Sequence, residues 1–197
     1  MSLLFPLRSA FLALPLEGEA KEHFQDVQKR LQPFKELFRF QEADRPHLTL
    51  FFWGSLMEIE YSALIKQTEK IAARTSPFTL FVTGANTFEG DKEPKVLFLT
   101  IERSAELSTL KKICPWPNLR PFFPHITLAR MKNPQAYLVH RKDILKTLKE
   151  VSFPVTCDKL RLYAEVEGVK QEKVRDFAFG SSALTPGPSP IEGHFPR

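Results

Sequence analysis

Short apolar runs alternate along the chain with longer stretches in which apolar residues recur every three or four positions. The runs rich in β-branched and aromatic residues predict strands at 9–14, 37–40, 47–53, 78–83, 96–101, 125–130, 159–165 and 174–179. The helical spacing predicts helices over 18–34, 61–74, 104–113 and 137–149. The polar, glycine-containing segment 84–94 is typical of a hairpin connection or a longer loop. Four prolines in 114–124 disfavour a helix or a central strand there.

This order of elements predicts an α+β fold with two structurally similar halves. We expect residues 1–180 to form one domain made of these halves. The remaining segment, 181–197, is rich in proline, glycine and serine and has no apolar periodicity, which predicts a disordered tail. No chemical role is therefore expected for His194, which lies in that tail.

One phrase of polar and apolar residues occurs twice, in RPHLTLFFWG (45–54) and FFPHITLARMK (122–132). The two histidines, His47 and His125, stand 78 residues apart (125 − 47). Side chains alternate between the faces of a strand, so each histidine shares a face with the threonine two residues later, Thr49 or Thr127. The two polar groups of each phrase then lie about 6.6 Å apart along the strand. We therefore interpret the phrases as the two halves of one site.

Arg130 lies five residues after His125, and strict alternation places it on the opposite face of the strand. We expect it to join the site only if the strand ends or bulges before it. Arg120 and Phe123, which lie next to the second phrase, are candidates for the border of the cleft.

The aromatic run after the first phrase, Phe51, Phe52 and Trp53, allows two interpretations, stacking on nucleobases or packing in the core. Phe52 alternates with Leu50, and this favours the core for Phe52. Leu48 and Leu50 are expected in the core as well.

Two histidines with nearby hydroxyl groups are compatible with three kinds of site. They can act as general acid and general base at a phosphorus centre, because an imidazole pKa of about 6.5 allows proton exchange near neutral pH. They can bind a metal ion, although neither phrase supplies a third ligand nearby. They can also hydrogen-bond RNA in a cleft without catalysis. The residues alone leave these three open.

Composition and charge narrow the class of protein. Hydrophobic residues make up 43% of the 197 residues and charged residues 26%, a balance typical of a folded, soluble chain. The 28 basic and 23 acidic residues give a net charge of +5, which permits an anionic partner such as RNA without establishing one. No apolar stretch is long enough for a membrane helix. The apolar start of the chain is interrupted by Arg8, which favours a first strand over a signal peptide.

Other kinds of site lack support in the sequence. Cys114 and Cys157 stand 43 positions apart (157 − 114) without a CxxC motif, so no thiolate zinc site is expected. Two reduced thiols in a cytoplasmic protein are the simpler interpretation. The sequence contains no GxSxG, HExxH or Walker A motif.

The paired HLTL and HITL phrases resemble the His-x-Thr-x motifs of the two-histidine phosphoesterase superfamily. Within that superfamily the sequence is most similar to the RNA 2',3'-cyclic phosphodiesterases, also called 2'-5' RNA ligases. RPFFPHITLAR (120–130) is the most specific piece, and RSAFLALPL (8–16) and KLRLYAEV (159–166) resemble the opening strand and the penultimate strand. The sequence departs from the family pattern at Phe51 and Trp53, where lysine and leucine are common, and at Phe177, where tyrosine is frequent.

The resemblance implies a bilobal fold of two pseudo-symmetric antiparallel sheets, with helices on the outside and a central cleft between them. It implies that His47 protonates the departing 3' oxygen, that His125 activates water, and that Thr49, Thr127 and Arg130 hold the phosphate. No metal or other cofactor is expected in such a site.

The implied activity is hydrolysis of a 2',3'-cyclic phosphate, on RNA ends or on cyclic nucleotides, to a 2'-phosphate. We expect a monomer without an obligate protein partner and no association with a membrane. Ligation or 2'-5' oligoadenylate cleavage by the same site, and binding of RNA ends without catalysis, stay open as alternatives.

Overall fold

The computed structural model describes residues 3–89, 93–117 and 121–180 of the chain. The predictions of a disordered tail at 181–197, of no role for His194 and of a cleft position for Arg120 concern residues outside these ranges.

The described residues form nine strands and four α-helices in mixed order. The strands are β1 (Leu7–Pro15), β2 (Phe38–Phe40), β3 (His47–Leu56), β4 (Phe78–Glu89), β5 (Pro94–Ile101), β6 (His125–Met131), β7 (Phe153–Cys157), β8 (Lys159–Val166) and β9 (Val169–Ala178). The helices are α1 (Gly18–Arg30), α2 (Glu58–Ala73), α3 (Ala105–Ile113) and α4 (Pro134–Thr147), with a 3-10 helix at Gln32–Leu37. Within the described residues no helix is long and apolar enough to cross a membrane.

Three sequence predictions differ from the structure for identifiable reasons. The predicted helix 18–34 ends at Arg30, and a 3-10 helix with Pro33 in its first turn follows it, because a proline lacks the amide hydrogen that would continue the α-helix. The predicted hairpin connection at 84–94 is confirmed but shorter than expected, since β4 continues to Glu89 and its antiparallel partner β5 begins at Pro94. No strand is predicted at β7 because Pro154 disfavours one. In the structure the residues of β7 nevertheless alternate between buried and exposed positions, as in a strand with one buried face. Proline is tolerated there because β7 is an edge strand.

All strand pairs are antiparallel and join into one sheet in the order β7-β4-β5-β6-β3-β1-β8-β9, with β2 paired to β6 outside this series. The middle of the series is its weakest point, since β3 and β6 are in register at one residue pair, Leu48 and Ile126. Four strands of the series lie on each side of this junction, and β2 adds a fifth on the side of β6. The α+β class is confirmed, and the two halves are joined edge to edge through the strands that carry the histidines.

The two faces of the sheet have different partners. The main core lies on the face covered by the helices, and it includes Leu48 and Ile126, each 1% exposed, together with apolar residues of α1, α2, α3 and α4. On the other face, Phe11, Ala13 and Tyr163 form a small separate cluster. The uncovered face beside this cluster is where the polar residues of β3 and β6 lie.

We predict that Leu48→Ala weakens the junction between the halves. Removal of a fully buried leucine side chain lowers the free energy of unfolding by about 2–5 kcal/mol, because transfer and cavity costs add. Urea denaturation of the wild type and the variant measures the change. Val139→Ala is a suitable control, since Val139 is 79% exposed on α4, and a change within about 0.5 kcal/mol is expected there. A Leu48→Ala loss as small as this control would contradict the role of the junction.

Candidate active site

Each of the two histidines is the first residue of its strand and follows a proline. The Nδ1 atom of His47 lies 2.8 Å from the carbonyl oxygen of Arg45, and that of His125 lies 2.8 Å from the carbonyl oxygen of Phe123. A carbonyl oxygen can only accept a hydrogen bond, so Nδ1 carries a proton in both rings. Nε2 is therefore the nitrogen that each neutral imidazole leaves available as an acceptor. The two phrases thus fix their histidines by the same local contact.

The junction between β3 and β6 brings the two phrases side by side. Counting the antiparallel register outward from the Leu48–Ile126 pair places His47 opposite Thr127 and Thr49 opposite His125. All four side chains are half-buried. The two strands are related by an approximate twofold axis through the junction, so the structure brings the predicted histidines and threonines together.

A bulge in β6 decides the position of Arg130. In the pairing with β5, Thr127 stands opposite Phe98 and Ala129 opposite Leu97, which leaves Leu128 as an extra residue. Leu128 and Ala129 are consequently both buried, and the alternation resumes one residue later. Arg130 then returns to the face of Thr127, which is the condition under which the sequence allowed it to join the site.

The first phrase contains the corresponding bulge in β3. In the pairing with β1, Thr49 stands opposite Ala13 and Phe51 opposite Leu12, which leaves Leu50 as the extra residue. The burial pattern of His47 to Trp53 is identical to that of His125 to Met131. The structural repeat therefore continues beyond the threonines.

The prediction that Phe52 belongs to the core is wrong. Phe52 is 60% exposed and lines the cleft, because the bulge reverses the alternation that connected it to Leu50. The predictions for Leu48 and Leu50 are confirmed, since both are buried. Phe51 is also buried, with the Nζ atom of Lys111 3.1 Å above the centre of its ring. Phe52 therefore occupies the position in the first phrase that Arg130 occupies in the second.

Two cavities meet at these equivalent residues. We name them the aromatic cavity, with a volume of 730 Å³, and the basic cavity, with a volume of 390 Å³. The aromatic cavity is lined among others by Thr49, Phe88, Phe122, Phe123 and His125. The basic cavity is lined among others by Phe11, Arg39, Gln41, Glu42, Lys170 and Gln171. Phe52, Thr127 and Arg130 line both cavities, which makes these three residues the centre of the cleft.

Aromatic rings surround both imidazoles. The ring of His47 lies 4.8 Å from that of Phe11 and 5.3 Å from that of Tyr163, centre to centre. The ring of His125 lies 4.7 Å from Phe88 and 5.4 Å from Phe98. His47 lines neither cavity directly, but its neighbour Phe11 lines the basic one. The first histidine is therefore the more enclosed of the two.

This enclosure lowers the pKa of both histidines. Burial lowers the pKa of His47 to about 4, with a further lowering from the charge of His125 and a partial compensation by the hydrogen bond to Arg45. Burial also lowers the pKa of His125, and the guanidinium of Arg130 lowers it further against the hydrogen bond to Phe123. Both imidazoles are neutral at pH 7 in the absence of a ligand, and an anion between them would favour protonation.

Several cleft residues were not identified from the sequence. Phe11 and Tyr163 lie in strands β1 and β8, whose sequences read as ordinary apolar strands. Arg39 reaches the basic cavity only because β2 pairs with β6, and Phe88 lies in the segment predicted to be a hairpin connection or a loop. Phe123 does border the cleft, as the sequence suggested.

Within 3–89, 93–117 and 121–180 no three histidine, cysteine, aspartate or glutamate residues are grouped so that they could hold a metal ion.

Solved structures with the same arrangement confirm the fold. A protein of Thermus thermophilus is 21% identical and aligns with a TM-score of 0.68 over 88% of this chain and 99% of its own. Escherichia coli LigT, solved in complex with NADP+, is 26% identical and aligns with a TM-score of 0.64 over 88% of this chain and 98% of its own.

The sequence comparisons agree with the structural ones. Seven curated proteins that are 24–27% identical to this chain are each named RNA 2',3'-cyclic phosphodiesterase. The protein of Aquifex aeolicus is 27% identical over 187 residues, which cover 89% of this chain and 89% of that protein. The family model described as the 2'-5' RNA ligase superfamily matches residues 19–168. With both motif strands inside the matched region, the chain belongs to the 2'-5' RNA ligase superfamily.

Proposed function

We propose that the protein is an RNA 2',3'-cyclic phosphodiesterase, which hydrolyses a 2',3'-cyclic phosphate to a 2'-phosphate without a metal ion. The observation that carries this proposal is the pair of imidazoles with free Nε2 atoms, each across from the other phrase's threonine. The name shared by the curated relatives supports it. A cyclic phosphate held between the two histidines would have one of them on each side of the phosphorus.

The proposed reaction needs one neutral and one protonated imidazole. Nε2 of the neutral histidine accepts a proton from water, and the water oxygen forms a bond to phosphorus. The bond between phosphorus and the 3' oxygen breaks, and the protonated histidine gives its Nε2 proton to that oxygen. The products are a 2'-phosphate and a free 3'-hydroxyl group, so one water is consumed and both imidazoles have exchanged protonation states.

The assignment of the two roles depends on the family resemblance. His47 is proposed as the acid and His125 as the base, whereas the contacts of their Nδ1 atoms are the same. Because burial lowers the pKa of His47, little of this histidine is protonated in the free enzyme at neutral pH. The negative charge of the bound cyclic phosphate raises this pKa and so stabilises the protonated form that an acid requires.

Thr49, Thr127 and Arg130 are proposed to hold the non-bridging oxygens of the phosphate. Hydroxyl and guanidinium groups donate hydrogen bonds, which become stronger as negative charge develops on these oxygens. Thr127 and Arg130 lie where the two cavities meet, and Thr49 lines the aromatic one. The exposed rings of Phe52 and Phe123, at 60% and 53%, are suited to stack on the base of the same nucleotide.

We predict that His47→Ala and His125→Ala each lower kcat by on the order of 10²- to 10⁴-fold, the usual effect of losing a general acid or base. The assay contains EDTA and a 2',3'-cyclic nucleotide, and chromatography separates the 2'- and 3'-phosphate products. His140→Ala serves as the control, because His140 is an exposed histidine of α4. No turnover by the wild type, turnover that requires added metal, or a 3'-phosphate product would each contradict the proposal.

The same assay tests the second activity of the superfamily. Ligation replaces water by the 5'-hydroxyl of another RNA strand and forms a 2'-5' bond at the same phosphorus. Adding an RNA with a free 5'-hydroxyl group, and analysing the product for a 2'-5' linkage, separates hydrolysis from ligation. Binding of RNA ends by a folded sample without either product would favour a protein that binds RNA without catalysis.

We predict a bell-shaped pH dependence of kcat/KM with its optimum between about pH 4 and 6.5. The profile of kcat/KM reports the free enzyme, in which burial lowers the pKa of His47 to about 4 and that of His125 below its ordinary value. Fewer molecules carry one protonated histidine as the pH rises above these values, so the rate falls. The optimum of kcat should lie at higher pH, because bound phosphate raises both pKa values. An optimum of kcat/KM above pH 7 would contradict this assignment.

A further inference from the structure

Two arginines face each other across a pair of strands beside the proposed phosphate site. In the register of β2 and β6, Arg39 stands directly opposite Arg130. Like charges at directly opposite positions destabilise an antiparallel pair. Neither guanidinium forms an ion pair with a carboxylate in the part of the chain that the structure describes. An anion that binds between them would remove this repulsion.

A third cation completes the basic cavity. Lys170, near the start of β9, lines this cavity together with Arg39 and Arg130, and Glu42 is the carboxylate that shares the lining. Three positive charges and one negative charge leave a net charge of +2 around a cavity of 390 Å³. The aromatic cavity on the other side of Thr127 contains one of these cations, Arg130. The positive charge of the cleft is therefore concentrated on one side of the proposed reaction centre.

The wall that carries Lys170 is held in a defined position. The guanidinium of Arg45 donates hydrogen bonds to the carbonyl oxygens of Lys170 and Gln171, at 3.0 and 3.3 Å, and forms an ion pair with Glu172 at 2.7 Å. The side-chain amide of Gln41 donates a hydrogen bond to the side-chain oxygen of Gln171. These contacts connect β9 to the segment that precedes His47, so Lys170 and the first phrase are positioned together.

The backbone around the basic cavity is strained at two points. Ser9 and Gln171 both line it and have φ angles of +50° and +56°, in the left-handed region that residues other than glycine rarely adopt. Such conformations require compensation by the surrounding structure and concentrate at functional sites. The two strained residues, the two opposed arginines and the wall that carries Lys170 all line the same cavity.

From these observations we infer that the basic cavity is a subsite for the internucleotide phosphate on the 5' side of the cyclic phosphate, with Arg39 and Lys170 as its ligands. The inference rests on the proposed function and names its substrate class, an RNA strand with at least one phosphodiester before the cyclic end. A cyclic mononucleotide has no phosphate to place there. Arg130, which lines both cavities, then lies between the reacting phosphate and its neighbour.

The geometry favours a phosphodiester over other anions. The aromatic cavity on one side of Thr127 suits the base of the terminal nucleotide, and the chain must continue from that nucleotide through its 5' oxygen. The basic cavity lies on the other side of the same centre and offers guanidinium and ammonium donors, which bind phosphate oxygens strongly. A substrate that spans both cavities contacts the aromatic rings of one and the cations of the other.

The test compares two substrates on the wild type and on a double variant. A cyclic mononucleotide and a short oligoribonucleotide with the same cyclic end are assayed with the wild type and with Arg39→Ala/Lys170→Ala. We expect the wild type to prefer the oligonucleotide in kcat/KM, and the double variant to reduce this preference by about tenfold or more, since hydrogen bonds between charged groups are removed. The slope of log kcat/KM against log salt for the oligonucleotide should decrease in magnitude by about 0.7 for each phosphate that the variant no longer neutralises.

The control is Lys66→Ala/Lys142→Ala, which removes two exposed charges from α2 and α4 and should keep the wild-type preference. Equal turnover of both substrates by the wild type, or equal losses on both in Arg39→Ala/Lys170→Ala, would overturn the subsite. Thermal melting shows that each variant is folded.

A binding measurement separates the subsite from the reaction. Calorimetry compares a 2'-phosphorylated mononucleotide with an oligoribonucleotide that ends in a 2'-phosphate, on the wild type and both double variants. Tighter binding of the oligonucleotide that depends on Arg39 and Lys170 supports the subsite even if no turnover occurs, which would overturn the proposed function alone. Equal affinity of the wild type for both ligands overturns the subsite while turnover is retained.

Discussion

The backbone pairing of β3 and β6 is the contact on which the site depends. Each half of the sheet carries one histidine and one threonine at the start of an inner strand, and neither half has a complete set. The register at Leu48 and Ile126 places the two sets opposite each other. Because both residues are buried in the main core, packing on the helical face fixes the positions of polar groups on the other face. Stability and site geometry therefore depend on the same few residues.

The repeated bulge gives the cleft its two unlike sides. An extra residue after each threonine, Leu50 or Leu128, turns the next exposed side chain back toward the cleft. In one strand that side chain is Phe52 and in the other it is Arg130. The backbone is nearly symmetric while these two side chains differ completely, so a ligand with an apolar part and an anionic part can bind in one orientation. A nucleotide has such a division between base and phosphate.

Enclosure of the histidines ties their protonation to ligand binding. Burial favours neutral imidazoles, and the Nδ1 contacts fix which nitrogen is free. An anion between the rings reverses this preference, because the charge of an imidazolium is then compensated. The clustering of Arg39, Arg130 and Lys170 around one cavity has the same consequence. Their mutual repulsion is unfavourable before an anion binds, and an anion bound between them converts it into attraction.

The sequence by itself determined the α+β class and most of the strands and helices, because these depend on local periodicity. It also indicated two histidines and two threonines as candidate site residues, through a phrase that occurs twice. It could not determine the side of Arg130 and Phe52, since a bulge is defined by the partner strand, and strict alternation assigned Phe52 to the core. It gave no indication of Arg39, Phe11 or Tyr163, whose relation to the histidines depends on pairings between strands distant in the chain. Local periodicity assigns a face within one strand, whereas only tertiary pairing decides which faces of different strands meet.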